Sequence, residues 1–478
     1  MVPESDKPLA RMVADQLFSR AAGVERVQGN AVRLLRDGTD NYQAWLTAIA
    51  AARHWVHFEN YIIRDDVVGR RFANALAAKA AEGVAVRVLY DWMGCLGTWP
   101  GLWRRLRRAG VEVRCFNRPQ IDSPLGFLSR NHRKSVSVDG VVGYVAGLCV
   151  GKVWVGDPAN NKPAWRDTGI EVRGPAVADL DVAFAQSWGF AGGTLPPVEV
   201  PPSPEAVGDI TLRVVASKPN TMGVYRLDQV IAGIARERLW LTDAYFVGTT
   251  SYVRTLCDAA ADGVDVRLLV PGASDLPVAK ALSRAGYRPL LEAGVRVFEW
   301  DGPMLHAKTA VADGRWARIG SSNLNLASWM GNWELDVAIE NEAFARQMEA
   351  MFEDDLANAT EIVLNRGVHA AEPRPPRPSG RGSPGRLAAG AVGLGSAVTA
   401  AITNHRTLGP AEAVAMAAGG VLLLLLAGLA VWMPRLVTIP LALIATWVAV
   451  TLLVRAIRLR FASDPSGLPS NSPPSPTS

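Results

Sequence analysis

Between about Gly29 and Leu356, apolar positions follow two spacings in turn. Stretches with helical spacing lead into short runs with a period of two, which put every second side chain on one face of a strand. The succession occurs twice. Ile49-Ala-Ala-Ala-Arg-His-Trp-Val-His-Phe-Glu-Asn-Tyr61 reads as the end of a helix followed by a strand, and Ile234-Ala-Arg-Glu-Arg-Leu-Trp-Leu-Thr-Asp-Ala-Tyr245 repeats it. Gly83-Val-Ala-Val-Arg-Val-Leu89 then matches Gly263-Val-Asp-Val-Arg-Leu-Leu269, and Ala109-Gly-Val-Glu-Val113 matches Ala293-Gly-Val-Arg-Val297. Each Gly is placed to end a helix before a buried strand. Helices near Ala178–Trp188 and Glu342–Leu356 close the two halves. The pattern predicts an α/β fold with a mixed or parallel sheet, built by internal duplication.

Outside the repeats the pattern changes. Segment 1–28 has no continuous apolar stretch and no secretory signal, and a short amphipathic helix is expected from about Leu9 to Ala21. The repeats, 29–191 and 209–360, are joined by a connector over 192–208. Its Pro-rich part, Gly192 to Pro204, is too stiff and donor-poor to serve as a core element. A Pro/Arg/Gly linker over 361–388 is expected to have little fixed structure. The membrane region, 389–460, holds two apolar stretches, Ala411–Met433 and Leu436–Val454. Each is long enough to cross a hydrocarbon core of about 30 Å. Arginines flank the pair on both sides, so the positive-inside rule puts both ends and the repeats in the cytoplasm. Leu387–Thr403 reads as an interfacial helix or a third span. The Pro/Ser-rich residues 461–478 read as a disordered tail.

Charge and cysteine content narrow the chemistry. The net charge is only +5, which supplies no basic field for a nucleic-acid partner. Cys95, Cys115, Cys149 and Cys257 form no Cys-x-x-Cys pair and have no His at zinc-site spacing, so neither a structural metal nor a disulfide framework is expected.

The chemistry is carried by a doubled triplet. His132-Arg-Lys134-Ser-Val-Ser-Val-Asp139 and His306-Ala-Lys308-Thr-Ala-Val-Ala-Asp313 share the pattern His-x-Lys-x4-Asp, in a chain with only six histidines. On an extended strand, residues i and i+2 point to one face, so each His projects beside its Lys. Two copies brought together by pseudo-twofold packing surround one cavity with two imidazoles and two ammonium groups. One imidazole can attack phosphorus and form a phospho-histidine. The other can protonate the leaving alkoxide and then deprotonate the incoming alcohol. The lysines neutralise charge growing on the phosphate oxygens, and no cofactor or metal is required. Asp139 and Asp313 precede Gly140 and Gly314 and are expected to have a structural role in a turn.

These motifs resemble the phospholipase D superfamily, and longer stretches resemble bacterial cardiolipin synthases. The latter are Phe58–Asp66, Val88–Gly94, Trp165-Arg-Asp-Thr168, Leu305-His-Ala-Lys-Thr309, Gly320-Ser-Ser-Asn-Leu-Asn325 and Asn332-Trp-Glu-Leu335. The resemblance implies two phospholipase D-like repeats packed as a pseudo-twofold catalytic domain, here followed by a transmembrane hairpin. It implies His132 and His306 as nucleophile and general acid–base pair. Lys134, Lys308, Asn323, Ser321 and Cys149 fall at the phosphate, and Asp167 and Glu334 at the histidines. The sequence departs from the family in two ways. Cys149 stands where a second Asn is common, and the predicted spans follow the catalytic domain rather than precede it.

The expected reaction is transfer of a phosphatidyl group from one phospholipid to the hydroxyl of another, as from phosphatidylglycerol to cardiolipin plus glycerol. The partners are then phospholipids and a membrane, and one chain holds the whole active site, so no oligomer is required. A phospholipase D-type hydrolase, a phosphodiesterase nuclease and a membrane scaffold with a decayed site are the alternatives. The Trp-rich stretch Trp92–Trp103, with Phe127 and Leu128, reads either as core or as a lipid-facing surface.

Overall fold

The computed structural model describes residues 16–119, 129–200 and 204–364, with scattered positions between 428 and 453. Most of both apolar stretches, the linker, the 387–403 segment, the tail, and Phe127 and Leu128 lie outside the described residues. No helix among the described residues is long and apolar enough to cross a membrane.

Alternating apolar runs become strands in both halves. The first half contains β1 (Val27–Arg36), α1 (Asp37–Ala51), β2 (Trp55–Asn60), α2 (Val67–Ala81), β3 (Ala85–Asp91), α3 (Pro100–Arg108), β4 (Glu112–Phe116), β5 (Lys134–Val138), β6 (Val142–Ala146), β7 (Thr168–Arg173) and α4 (Val177–Phe190). The second contains β8 (Ile210–Ser217), α5 (Gly223–Ile234), β9 (Arg238–Thr242), α6 (Thr250–Ala261), β10 (Asp265–Pro271), α7 (Pro277–Ala285), α8 (Tyr287–Glu292), β11 (Arg296–Trp300), β12 (Thr309–Ala312), β13 (Trp316–Gly320), β14 (Glu334–Glu340), α9 (Glu342–Leu356) and β15 (Ala359–Ile362).

The strand order is β15-β11-β10-β9-β12-β13-β14-β8-β1-β7-β6-β5-β2-β3-β4. Read outward from the central antiparallel pair β1–β8, the two sides run in the same order, with β15 added at one edge. In each half three strands are parallel, β2-β3-β4 and β9-β10-β11, and the motif strands β5 and β12 run antiparallel to β2 and β9. Each half has its own helix–sheet core. A third core joins the halves, where Val145, Ile170 and Val172 meet Leu335, Val337 and Ile339. Each of these six is fully buried, a contribution of about 1.5–3 kcal/mol per side chain before the entropy of ordering is deducted.

Asp139 and Asp313 close the β5–β6 and β12–β13 hairpins in the left-handed backbone region, at φ 54° and 50°. Asp139 accepts the backbone N–H groups of Arg53, His54 and Trp55 at 2.7–2.8 Å. Asp313 accepts those of Arg236, Glu237 and Arg238 at 2.9–3.0 Å. Each carboxylate thereby ties its hairpin to the start of the neighbouring strand, at the end remote from the motif histidine.

The connector departs from expectation. Glu199, in its short Pro197–Glu199 turn, is 4% exposed and reaches the interior of the first half. It bonds Arg87 at 2.8 Å and the Nε2 of His57 at 3.2 Å, while the Nδ1 of His57 bonds Asp181 at 2.8 Å. Burial opposes a charge on His57, but the two carboxylates outweigh it and raise its pKa. Prolines do remove donors, but here the tie is an acceptor side chain, which needs none. Before β1, residues 16–22 are helical, and Phe18, Ala21 and Ala22 pack into the core of the second half.

Candidate active site

His132 lies two residues before β5, and His306 lies three residues before β12. The first is held by the second half and the second by the first. The backbone N–H of His132 donates to the carbonyl of Trp333 at 2.8 Å, and the N–H of Trp333 donates to Arg130 at 2.7 Å. In the same way His306 donates to Arg166 at 2.7 Å and Arg166 to Met304 at 2.9 Å. Both crossings end beside a carboxylate. The Nδ1 of His132 lies 2.9 and 3.1 Å from the two oxygens of Glu334, and the Nδ1 of His306 lies 2.8 Å from Asp167. All four side chains are buried.

The carboxylates are held differently. Glu334 receives the Ser321 hydroxyl at 2.5 Å and the Asn332 amide at 3.1 Å. Asp167 receives the Trp154 indole N–H at 3.0 Å and the Thr168 N–H at 2.8 Å. At Gly147, which answers to Ser321, an added Cβ would lie 2.3 Å from an Asp167 oxygen, so a side chain there would displace the carboxylate. Ser321, expected at the phosphate, is engaged by Glu334 in this structure. Its hydroxyl is directed at Glu334, and the residue is fully buried behind the cavity.

Lys134 and Lys308 are likewise buried, each donating to the backbone carbonyl of its own motif histidine. Two tyrosines complete the doubled arrangement. Tyr61 meets His132 edge-on at 5.0 Å and has the Lys134 ammonium over its ring at 5.3 Å. Tyr245 stands 5.9 Å from both His306 and the Lys308 ammonium. Neither was singled out from the sequence, although both aligned repeat segments end on these tyrosines. Trp154 and Trp165 flank only His306.

A cavity of about 910 Å³ opens onto both histidines, Tyr61, Tyr245, Trp154, Trp165, Cys149, Asn323 and Arg130. The Asn323 amide oxygen has no partner among the described residues. Arg130 reaches Asp91 at 3.3 Å through one nitrogen, while its Nε and Nη2 have no partner there. Sequence reasoning missed Arg130, because the position matching it in the second copy is Met304 and repeat symmetry gives no signal. A larger groove, about 1050 Å³, lies by Asp139 at the far end of β5 and contains no motif histidine or lysine.

Electrostatics set the resting charges. Burial, and then the Lys308 ammonium, push His306 down to about 4 against the pull of Asp167. Burial lowers His132 too. Burial alone would raise Asp167 and Glu334, but the adjoining histidines and lysines outweigh it and lower both. At neutral pH both imidazoles are therefore uncharged, with Nδ1–H donated to an anionic carboxylate and Nε2 left as a lone pair. Burial, reinforced by Lys134, lowers Lys308 to about 8 even with Asp167 nearby, and it raises the Cys149 thiol. The arrangement provides two neutral nitrogen bases and the Asn323 amide around one opening, with Lys134 and Lys308 buried beside the motif histidines. That set suits attack on an anionic phosphodiester.

The model of the cardiolipin synthase phospholipase D-like domain family matches residues 231–356. Cardiolipin synthase A of Pseudomonas aeruginosa (strain LESB58) is 38% identical over 345 residues, covering 70% of this chain and 68% of that protein. Cardiolipin synthase A of Pseudomonas fluorescens (strain SBW25) is 37% identical over 344 residues, covering 70% of each. The phosphatidylserine synthase structure from Haemophilus influenzae Rd KW20 has a similar fold, with a TM-score of 0.58 at 13% identity over 72% of this chain and 92% of that one.

Proposed function

Because this chain belongs to the cardiolipin synthase family of the phospholipase D superfamily and is a phosphatidyltransferase, we propose that it converts two phosphatidylglycerol molecules to cardiolipin and glycerol. The observation that carries this reading is the crossed pairing of His132 with Glu334 and of His306 with Asp167 around one cavity. In the first step one neutral Nε2 attacks phosphorus. A phosphorus–nitrogen bond forms, the bond to the glycerol headgroup oxygen breaks, and the other imidazole, which takes up a proton at Nε2 as the anionic phosphodiester enters, supplies that oxygen's proton. In the second step the same imidazole takes the proton from the acceptor lipid's hydroxyl. The oxygen attacks phosphorus, and the histidine is released. Lys134, Lys308 and Asn323 hold the phosphate oxygens, and Cys149 borders the same space with a weaker donor. Arg130, at the cavity wall, adds a cation for a second anionic group.

Residues 411–433 and 436–454 anchor the chain in the inner membrane, with the repeats on the cytoplasmic side. Their apolar length, interrupted by Glu412 near the start of the first, and the flanking arginines support this topology.

The test is a product assay with the purified chain and phosphatidylglycerol in mixed micelles. Cardiolipin and free glycerol in equal amounts are expected. Phosphatidic acid as the main product would overturn transfer in favour of hydrolysis.

A further inference from the structure

A helix on a globular surface normally buries its apolar stripe and exposes its polar side chains. Helix α7 does the opposite. Its buried residue is Ser283, while Val278 is 73% and Leu282 51% exposed, and Leu276 just before it is 52% exposed. These side chains stand at the mouth of the catalytic cavity, as does Leu326 at 53%. The first repeat has the same feature in its own loop after β3, where Leu96 is 62% and Trp99 64% exposed. That loop is fastened to the cavity wall. The Thr98 hydroxyl donates to the carbonyl of Ile63 at 2.6 Å, and the N–H of Ile63 donates to the Cys95 sulfur at 3.2 Å. Tyr61, Ile62 and Arg64, on either side of Ile63, line the cavity.

Charge accompanies the apolar rim. Helix α3 begins at Trp99 and carries exposed Arg104, Arg105, Arg107 and Arg108. None of the four pairs with a carboxylate among the described residues. Arg64 and Lys152, also exposed, border the cavity.

We propose that this face docks the catalytic unit onto an anionic bilayer, with the six apolar side chains at the interface and the arginines of α3 at the headgroups. The proposal rests on the reading of the substrate as a membrane phospholipid. Apolar side chains ringed by unpaired cations lower their free energy at such a surface, and Trp favours the headgroup level. Both repeats put their exposed apolar residues at the sheet end where the cavity opens. The lipid can then enter without its acyl chains crossing water. A chain anchored elsewhere still has to turn its cavity toward the bilayer, and this face provides that orientation.

The test uses the full chain on phosphatidylglycerol in two forms. One is the long-chain lipid in phosphatidylcholine–phosphatidylglycerol vesicles. The other is the dihexanoyl lipid, kept monomeric below its micelle threshold. Leu96→Asp with Trp99→Asp, and separately Arg104→Glu with Arg105→Glu, are expected to lower the vesicle rate by about tenfold or more and to leave the monomer rate within about twofold. An unchanged vesicle rate in both pairs would overturn the proposal. So would an equal loss on both forms, which is the result expected if these side chains served only the fold. No transfer by the wild type on either form would remove the lipid-transfer reading itself, and the docking face with it.

Discussion

In the proposed mechanism Asp167 and Glu334 act on the reaction through the histidines they hold. Each accepts an Nδ1–H and so leaves the Nε2 lone pair toward the cavity. Asp167→Asn and Glu334→Gln keep the shape but present an amide that can donate, which favours the wrong tautomer. The turnover number of each variant is expected to fall by roughly a thousandfold or more, with a much smaller change in KM, as steady-state kinetics on micellar lipid would show. A fall of less than about tenfold would leave the two carboxylates without a positioning role. Lys308 sets a pH limit. As a base lowered to about 8, it is charged below that pH and neutral above it. The proposed stabilisation of phosphate charge is therefore present below pH 8, and kcat/KM is expected to decline as pH rises through it. Lys308→Arg retains its charge at high pH, so its alkaline limb should move upward even as the maximum falls.

At the scale of elements, the third member of each triplet sits in a hairpin turn, and the proposed mechanism gives it no chemical step. Asp139 and Asp313 each gather three N–H groups and sit in the left-handed region that Asp tolerates and Ala does not. Asp139→Ala or Asp313→Ala is expected to lower stability by about 1–3 kcal/mol in chemical denaturation, with kcat reduced less than about threefold. A large loss of kcat at unchanged stability would contradict this assignment. The role was readable from sequence, because Asp-Gly after a strand is a local turn signal. The fastening of the connector by Glu199 was not. It depends on Arg87 and His57, more than a hundred positions away, and no local pattern records that pairing.

For the whole molecule, the pairings cross between repeats. His132 and Glu334 are 202 positions apart, and His306 and Asp167 are 139 apart. Neither repeat alone pairs its motif histidine with a carboxylate. His132→Ala and His306→Ala are each expected to lose roughly a thousandfold or more of transfer activity. Mixing the two inactive chains should restore none of it. Recovery in the mixture would show sites shared between chains and overturn the single-chain arrangement.

The sequence by itself determined the duplication, the alternation of strands and helices, and the residue types that meet phosphate. These follow from spacing, and spacing is local: period two marks a strand, and His-x-Lys on a strand puts both side chains on one face. Tertiary structure decided which carboxylate pairs with which histidine, that the Ser321 hydroxyl is directed at Glu334, and that Arg130 joins the cavity with no counterpart in the other repeat. It also decided that α7 turns its apolar side outward. Each of these depends on what packs against a residue from far along the chain. Such contacts arise only when the two sheets meet and their shared core excludes water, and no period in the sequence encodes that meeting.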